Sequence, residues 1–153
     1  MASTNEVRDA LTAASRAFKA AGAESLRTIG LHPGQDFLLV ALLEEDTLTT
    51  GELARRLRVE SPTVTRMAQR MEVAGLVRRA SDPDDARRTR NSLTRRGREV
   101  AAALPKLLDD VLDRAVEGLT AGELDRLRDA LTLIAENLGW GETSEGADTS
   151  AEA

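Results

Sequence analysis

Residues 51–94 read GELARRLRVESPTVTRMAQRMEVAGLVRRASDPDDARRTRNSLT, and the fold is decided in this stretch. Thr49 with Glu52 has the hydroxyl-x-x-carboxylate spacing of a capping box, so a short helix opens there with Leu53, Ala54 and Leu57 facing inward. Arg58, Val59 and Glu60 break it, and Ser61-Pro62 restarts a helix with a hydroxyl cap and a proline in its first turn, running to Ala74 and stopped by Gly75. Residues 76–79 and 89–93 then read as two short strands around the turn-rich Ser81-Asp82-Pro83-Asp84-Asp85. Two short helices followed by an arginine-rich hairpin predict a winged helix-turn-helix.

The flanks are helical. Ser3 with Glu6 is a second capping box, followed by Val7, Leu11, Ala14, Phe18 and Ala21 at alternating spacings of four and three, a pattern that extends past Gly22 to Leu26 and Ile29. Pro33 suits the first turn of the next helix, with His32 as its cap and Leu38, Leu39, Leu42 and Leu43 on its buried side. Thr94 caps a long helix with Val100, Leu104, Leu107 and Val111 inward, and Pro105 is a candidate kink. Thr120 with Glu123 opens the last helix, where Leu124, Leu127, Leu131, Ile134 and Leu138 repeat at near-heptad spacing, and Trp140 reads as a packing anchor at its end.

The expected fold class is therefore mostly α with a small β-hairpin wing, the winged helix-turn-helix flanked by N- and C-terminal helices. The expected divisions are an N-terminal helix over 1–34, the winged segment over 35–99, C-terminal helices over 100–140, and a disordered acidic tail over 141–153. Composition agrees: hydrophobic residues are 41% of the 153 but aromatics only 2%, so the core must be Leu, Ala and Val on helices.

Charge divides along the chain. The net charge of -5 conceals a segment, 51–99, with thirteen Arg against seven acids, while the rest has eight Lys and Arg against nineteen acids. A lobe at +6 attached to a remainder at -11 is the pattern of one face that meets phosphate and a body that does not. On the second helix of the pair, Leu57, Val59, Val64, Ala68 and Met71 would lock the crossing, leaving Thr63, Thr65, Arg66, Gln69 and Arg70 outward. Thr63, Arg66 and Arg70 share one face at i, i+3 and i+7. Arg66 suits a bidentate contact with guanine, Gln69 suits adenine, and a threonine methyl suits that of thymine. Ser61 and the free N–H groups of the helix start suit a phosphate. The bland alternative for the same residues is a solvated helix face. Arg58 sits where such a turn prefers glycine, at a cost of about 1 kcal/mol for a left-handed residue.

From Leu31 to Val100 the chain resembles the MarR family of bacterial transcriptional regulators. The resemblance is carried by Leu53-Ala54 with Leu57 and Val59, Thr63-Val64-Thr65-Arg66, Met71-Glu72 with Gly75-Leu76-Val77, and Asp82-Pro83 with Asp85, Arg87, Leu93-Thr94 and Gly97. It implies a two-fold dimer built from the first and last helices, a recognition helix in the major groove, and a wing whose Arg87 reaches the minor groove with Asp85 as its brace. Two departures stand out. Ala86 occupies a position where many relatives carry arginine, so one wing contact is either missing or shifted to Arg88, and Asn91 occupies a strand position that is usually apolar, so the wing is either looser there or borrows a hydrogen bond. The resemblance also implies a small phenolic or anionic effector, for which Phe18, His32 and Phe37 are candidate contacts; their competing readings are core for the two phenylalanines and a helix cap for His32.

Other functions find little material. One histidine, no cysteine and no glycine-rich phosphate loop leave few ways to build a nucleophile, a cofactor cradle or a metal site, so the expectation is a non-enzyme without cofactor or metal. No apolar run spans a bilayer and no signal peptide opens the chain, so the expected location is cytoplasmic, with double-stranded DNA and a second copy of the chain as partners. The rival reading is a helical module that applies the winged helix to a protein partner.

Overall fold

The computed structural model describes residues 1–140; the tail expected at 141–153 lies outside the described residues. The chain divides into two units, 1–113 and 114–153. The first contains α1 (Thr4–Thr28), α2 (Gln35–Glu45), β1 (Thr47–Thr49), α3 (Thr50–Leu57), α4 (Ser61–Val73), β2 (Val77–Ser81), β3 (Thr89–Leu93) and most of α5 (Arg95–Ala115). The second contains the end of α5 and α6 (Ala121–Asn137).

Three helices start where the capping boxes place them. Ser3 caps α1, Thr49 caps α3 and Thr120 caps α6, each with the glutamate three residues on returning a carboxylate to the cap N–H. In all three the cap holds that glutamate's pKa below the usual carboxylate range, through its N–H and then its hydroxyl for Glu6 and Glu52 and through its hydroxyl and then its N–H for Glu123. Two starts differ from expectation. His32 does not cap α2: the cap is Gly34 in the left-handed region at φ 92°, and the His32 N–H instead donates to Gln35 Oε1 at 2.9 Å. Ser61 does not cap α4 either; Glu60 is the cap residue, without a side-chain hydrogen bond, and Ser61-Pro62 forms the first helical positions.

The core of the first unit is aliphatic. Leu38, Leu39 and Leu42 of α2, Leu53 and Ala54 of α3, Val64, Ala68 and Met71 of α4, and Leu76, Val77 and Leu93 around the sheet are buried together with Ala101 and Leu104 of α5. Burying each large aliphatic side chain contributes about 1.5–3 kcal/mol. Leu43, expected on the buried side of α2, is exposed. So are Phe18 and Phe37, which therefore are not core residues of the single chain, and Trp140, which is not a packed anchor there.

The turn between α3 and α4 is closed by backbone. Arg58 adopts φ 53° and ψ 44°, the left-handed conformation anticipated for that position, and the Val59 N–H donates to Ala54 O at 3.0 Å. Val59 is itself exposed, so its backbone rather than its side chain makes the lock. Gly75 at φ 71° closes α4 in the same way, with the Leu76 N–H donating to Met71 O at 2.9 Å.

The wing is a three-stranded antiparallel sheet in the order β1-β3-β2. Strand β1 was not expected: Thr47, Leu48 and Thr49 pair with Ser92, Asn91 and Arg90. On the other side, Val77 faces Leu93 and Arg79 faces Asn91. Asn91, at the usually apolar position, is fully buried, and its amide donates to Leu48 O at 3.2 Å and to Thr50 Oγ1 at 3.4 Å. It is a polar rivet between β3 and the start of α3.

Helix α5 is fastened to the sheet at its first turn. The Thr94 hydroxyl accepts the Gly97 N–H at 3.0 Å and donates to Gly75 O at 2.6 Å. Gly97 is obligatory: a Cβ there would lie 2.0 Å from Leu76 O. The helix continues through Pro105.

In the second unit, Gly118 at φ 88° precedes the Thr120 cap, and α6 has no buried residue in the single chain. Leu124, Leu127, Leu131 and Leu138 all count among its exposed side chains.

Candidate nucleic-acid interface

Helix α4 buries one stripe and presents another. With Val64, Ala68 and Met71 fixed in the core, Arg66, Gln69 and Arg70 are exposed, and Thr63 and Thr65 are half-buried at the edge of the packed stripe. Among the described residues, Arg66, Gln69 and Arg70 make no side-chain hydrogen bond or ion pair. Two unpaired guanidiniums and a free amide on one helix face leave donors open to acceptors from outside the chain, and the edges of bases are one such set.

The hairpin connecting β2 and β3 is organised by two aspartates. Asp82 has a side chain only 3% exposed, and its carboxylate accepts from Arg90 Nε and from the Asp84 N–H, each at 2.9 Å. The Asp84 N–H first, and then Arg90, hold the Asp82 carboxyl below the usual carboxylate range, and the same pairing raises the pKa of Arg90. This clamp fixes the base of the hairpin.

Asp85 works at the tip. Its Oδ1 accepts from both Nε and the backbone N–H of Arg87, each at 3.1 Å, and its Oδ2 lies 3.4 Å from Arg88 Nε. These contacts, led by the Arg87 side chain, lower its pKa, so it is an anion at neutral pH. Arg87 nevertheless leaves 92% of its side chain exposed. A charge-assisted hydrogen bond at the stem with an open guanidinium is a brace that aims an arginine without covering it. Arg88 pairs with the other oxygen of the same carboxylate.

Between α4 and the hairpin lies a cleft of about 540 Å³. Ser61 and Thr65 of α4 and Arg87 and Arg88 of the hairpin line it, so four of the expected site residues meet there. Thr63, Arg66, Gln69, Arg70 and Asp85 are outside its lining, as are Phe18, His32 and Phe37. His32, like the two phenylalanines, is exposed. Two cleft arginines had no distinguishing mark in the sequence: Arg55 of α3 and Arg79 of β2. The alternation of β2 is the one signal that separates exposed Arg78 from half-buried Arg79, and it is readable only once the register with β3 is known. Among the described residues, no group of three or more His, Asp or Glu side chains is placed to hold a metal ion.

Residues 31–89 match the sequence profile of the MarR family. The HTH-type transcriptional regulator TtmR of Methylorubrum extorquens is 35% identical over 126 residues, which are 82% of this chain and 62% of that protein. The chain thus spans somewhat less than two thirds of TtmR. An HTH-type transcriptional regulator of Mycobacterium tuberculosis is 33% identical over 96 residues, 63% of this chain and 67% of the relative. Among solved structures, the YusO protein of Bacillus subtilis superposes with a TM-score of 0.72 at 26% identity, covering 86% of this chain and 94% of that one.

Proposed function

The chain belongs to the MarR family, and on that premise we propose that it is a sequence-specific, DNA-binding transcriptional repressor that acts as a homodimer on a pseudo-palindromic operator. The observation that carries this reading is the free face of α4 beside a braced, exposed wing arginine, both within the one basic segment of an acidic chain. The geometry supports a division of labour. Arg66, Gln69 and Arg70, with Thr63 and Thr65, read base edges in the major groove; Ser61 contacts a phosphate; Arg87, aimed by Asp85, enters the adjacent minor groove with Arg88 alongside.

Dimerisation supplies the second reading head. Exposed Val7, Leu11 and Phe18 on α1, and exposed Leu124, Leu127 and Leu131 on α6, are two apolar stripes that a second copy would cover. Operators with two-fold symmetry mirror such a pair. No described helix is long and apolar enough to cross a membrane, and the cytoplasm, where the DNA lies, is the working location in this reading. A small phenolic or anionic effector that releases the operator belongs to the same proposal, with Phe18, His32 and Phe37 as its candidate contacts.

Salt titration of operator binding tests the reading. Phosphate contacts make log K fall with log salt by about 0.9 for each phosphate neutralised. A steep slope is the expected result; binding without salt dependence would point to a surface made for protein instead.

A further inference from the structure

Arg79 is an arginine held in place but not satisfied. Its side chain is only 18% exposed, its Nη1 lies 3.6 Å from Glu72 Oε2, too long for a hydrogen bond, and its buried Nε has no partner. Glu72 spends its other oxygen on the Arg79 backbone N–H at 3.2 Å, which ties β2 to α4. The guanidinium lines the cleft together with Ser61, Thr65, Arg87 and Arg88. The one acid in that lining, Glu52, already accepts from the N–H and hydroxyl of Thr49. In this basic cleft the mostly buried cation has Glu72 as an ion-pair partner at 3.6 Å, but its Nε has no hydrogen-bond acceptor.

Directly across the β2–β3 pair sits the complementary orphan. Asn91 is the register partner of Arg79, is fully buried, and has an Oδ1 without a hydrogen-bond donor. Its amide nitrogen is already fixed to Leu48 O and Thr50 Oγ1, which sets the direction in which Oδ1 points. Facing residues of paired strands bring their Cβ atoms within about 5 Å. The two unpaired atoms are a donor and an acceptor on facing residues, and an Nε–H bond to Oδ1 would orient the guanidinium with its terminal nitrogens toward the cleft, Nη1 staying near Glu72.

We infer that Arg79 contacts a DNA phosphate in the cleft between recognition helix and wing, and that Asn91 is the residue that positions it. The inference rests on the DNA-binding reading above. The cleft runs from the start of α4, at Ser61 and Thr65, past the first turn of α3 to the wing arginines, beside the course a strand follows from a major groove into the neighbouring minor groove, so the oxyanion that belongs there is a backbone phosphodiester rather than a free anion.

The test is operator binding as a function of salt for the full-length protein and for Arg79→Gln, Arg79→Lys, Asn91→Leu and the Arg79→Gln/Asn91→Leu pair, each checked for folding by thermal melting. Arg79→Gln is expected to bind about tenfold more weakly and to lower the salt slope by about 0.9. Arg79→Lys retains the slope and loses part of the affinity, because charge survives and the fork does not. Asn91→Leu lowers the melting temperature, because it also removes the bonds to Leu48 O and Thr50 Oγ1, and weakens DNA binding at temperatures where it remains folded; the double variant is no weaker in binding than Arg79→Gln alone. An unchanged slope in folded Arg79→Gln, or additive losses in the double variant, would overturn the inference. In a separate arm, inorganic phosphate is titrated into the DNA-free protein at constant ionic strength. Arg79-dependent binding of that ion, with the DNA slope unaltered, would mark a free-anion site and also overturn it. Absence of any salt-dependent operator binding by the wild type would instead defeat the underlying reading, and this inference with it.

Discussion

At the scale of single residues, Arg58 and Gly97 show how differently two backbone constraints are met. Arg58 holds a left-handed conformation at φ 53° that glycine adopts freely. Arg58→Gly is expected to stabilise the protein by about 1 kcal/mol, measured by denaturant unfolding; a loss would mean that the arginine's own contacts outweigh the strain. Gly97 has no such latitude, since its Cβ would meet the Leu76 carbonyl. Gly97→Ala should cost about 3 kcal/mol, seen as a lowered midpoint at unchanged denaturant slope. Residues of this kind were partly legible. The need for a left-handed residue after Leu57 follows from two helices separated by a tight turn, whereas nothing in the string around His32, Pro33 and Gly34 says that the glycine rather than the histidine becomes the cap. The three capping boxes were legible because both partners lie within four residues.

Elements whose identity rests on distant partners were less so. Strand β1 is three residues long, and its hydrogen-bonding partners are β3 residues more than forty positions on; no local pattern marks it. The same distance hid the role of Asn91 and of Arg79, which resembles Arg78 in sequence and differs from it only by the side of the sheet it faces. The wing also has a predictable response to acid. The Asp82 carboxyl is held below its ordinary range by the Asp84 N–H and by Arg90, so its contribution to stability is complete above the ordinary carboxylate pKa and is lost as pH falls through the lowered value. Asp82→Asn should therefore lower the melting temperature at neutral pH, with the gap to wild type closing in acid. A gap that stays constant with pH would show that the clamp does not act through its charge. The two halves of the interface should separate in binding assays. Arg87→Ala weakens specific and random DNA alike, while Arg66→Ala alters sequence preference by about 1–3 kcal/mol at one base pair. Equal losses on both kinds of DNA for both variants would contradict that division.

For the whole molecule, the exposed apolar stripes of α1 and α6 are what the proposed dimer rests on. Their periodicity was visible in the sequence, but whether they pack within the chain or against another is not a local property. Phe18 carries the same ambiguity, which is why it read as core or effector contact although it is exposed in the single chain. Leu127→Glu with Leu131→Glu is expected to yield a folded monomer by sedimentation and to weaken operator binding steeply, since two heads bind as one only when joined. Dimers that persist unchanged would place the interface elsewhere.

The central claim is that two copies of this winged helix read a symmetric site, and selection of bound sequences from fragmented genomic DNA at near-physiological salt tests it most directly. The expected result is an enriched pseudo-palindrome with half-sites about one helical turn apart. Folded protein that enriches no sequence, or only an unpaired half-site, would contradict it.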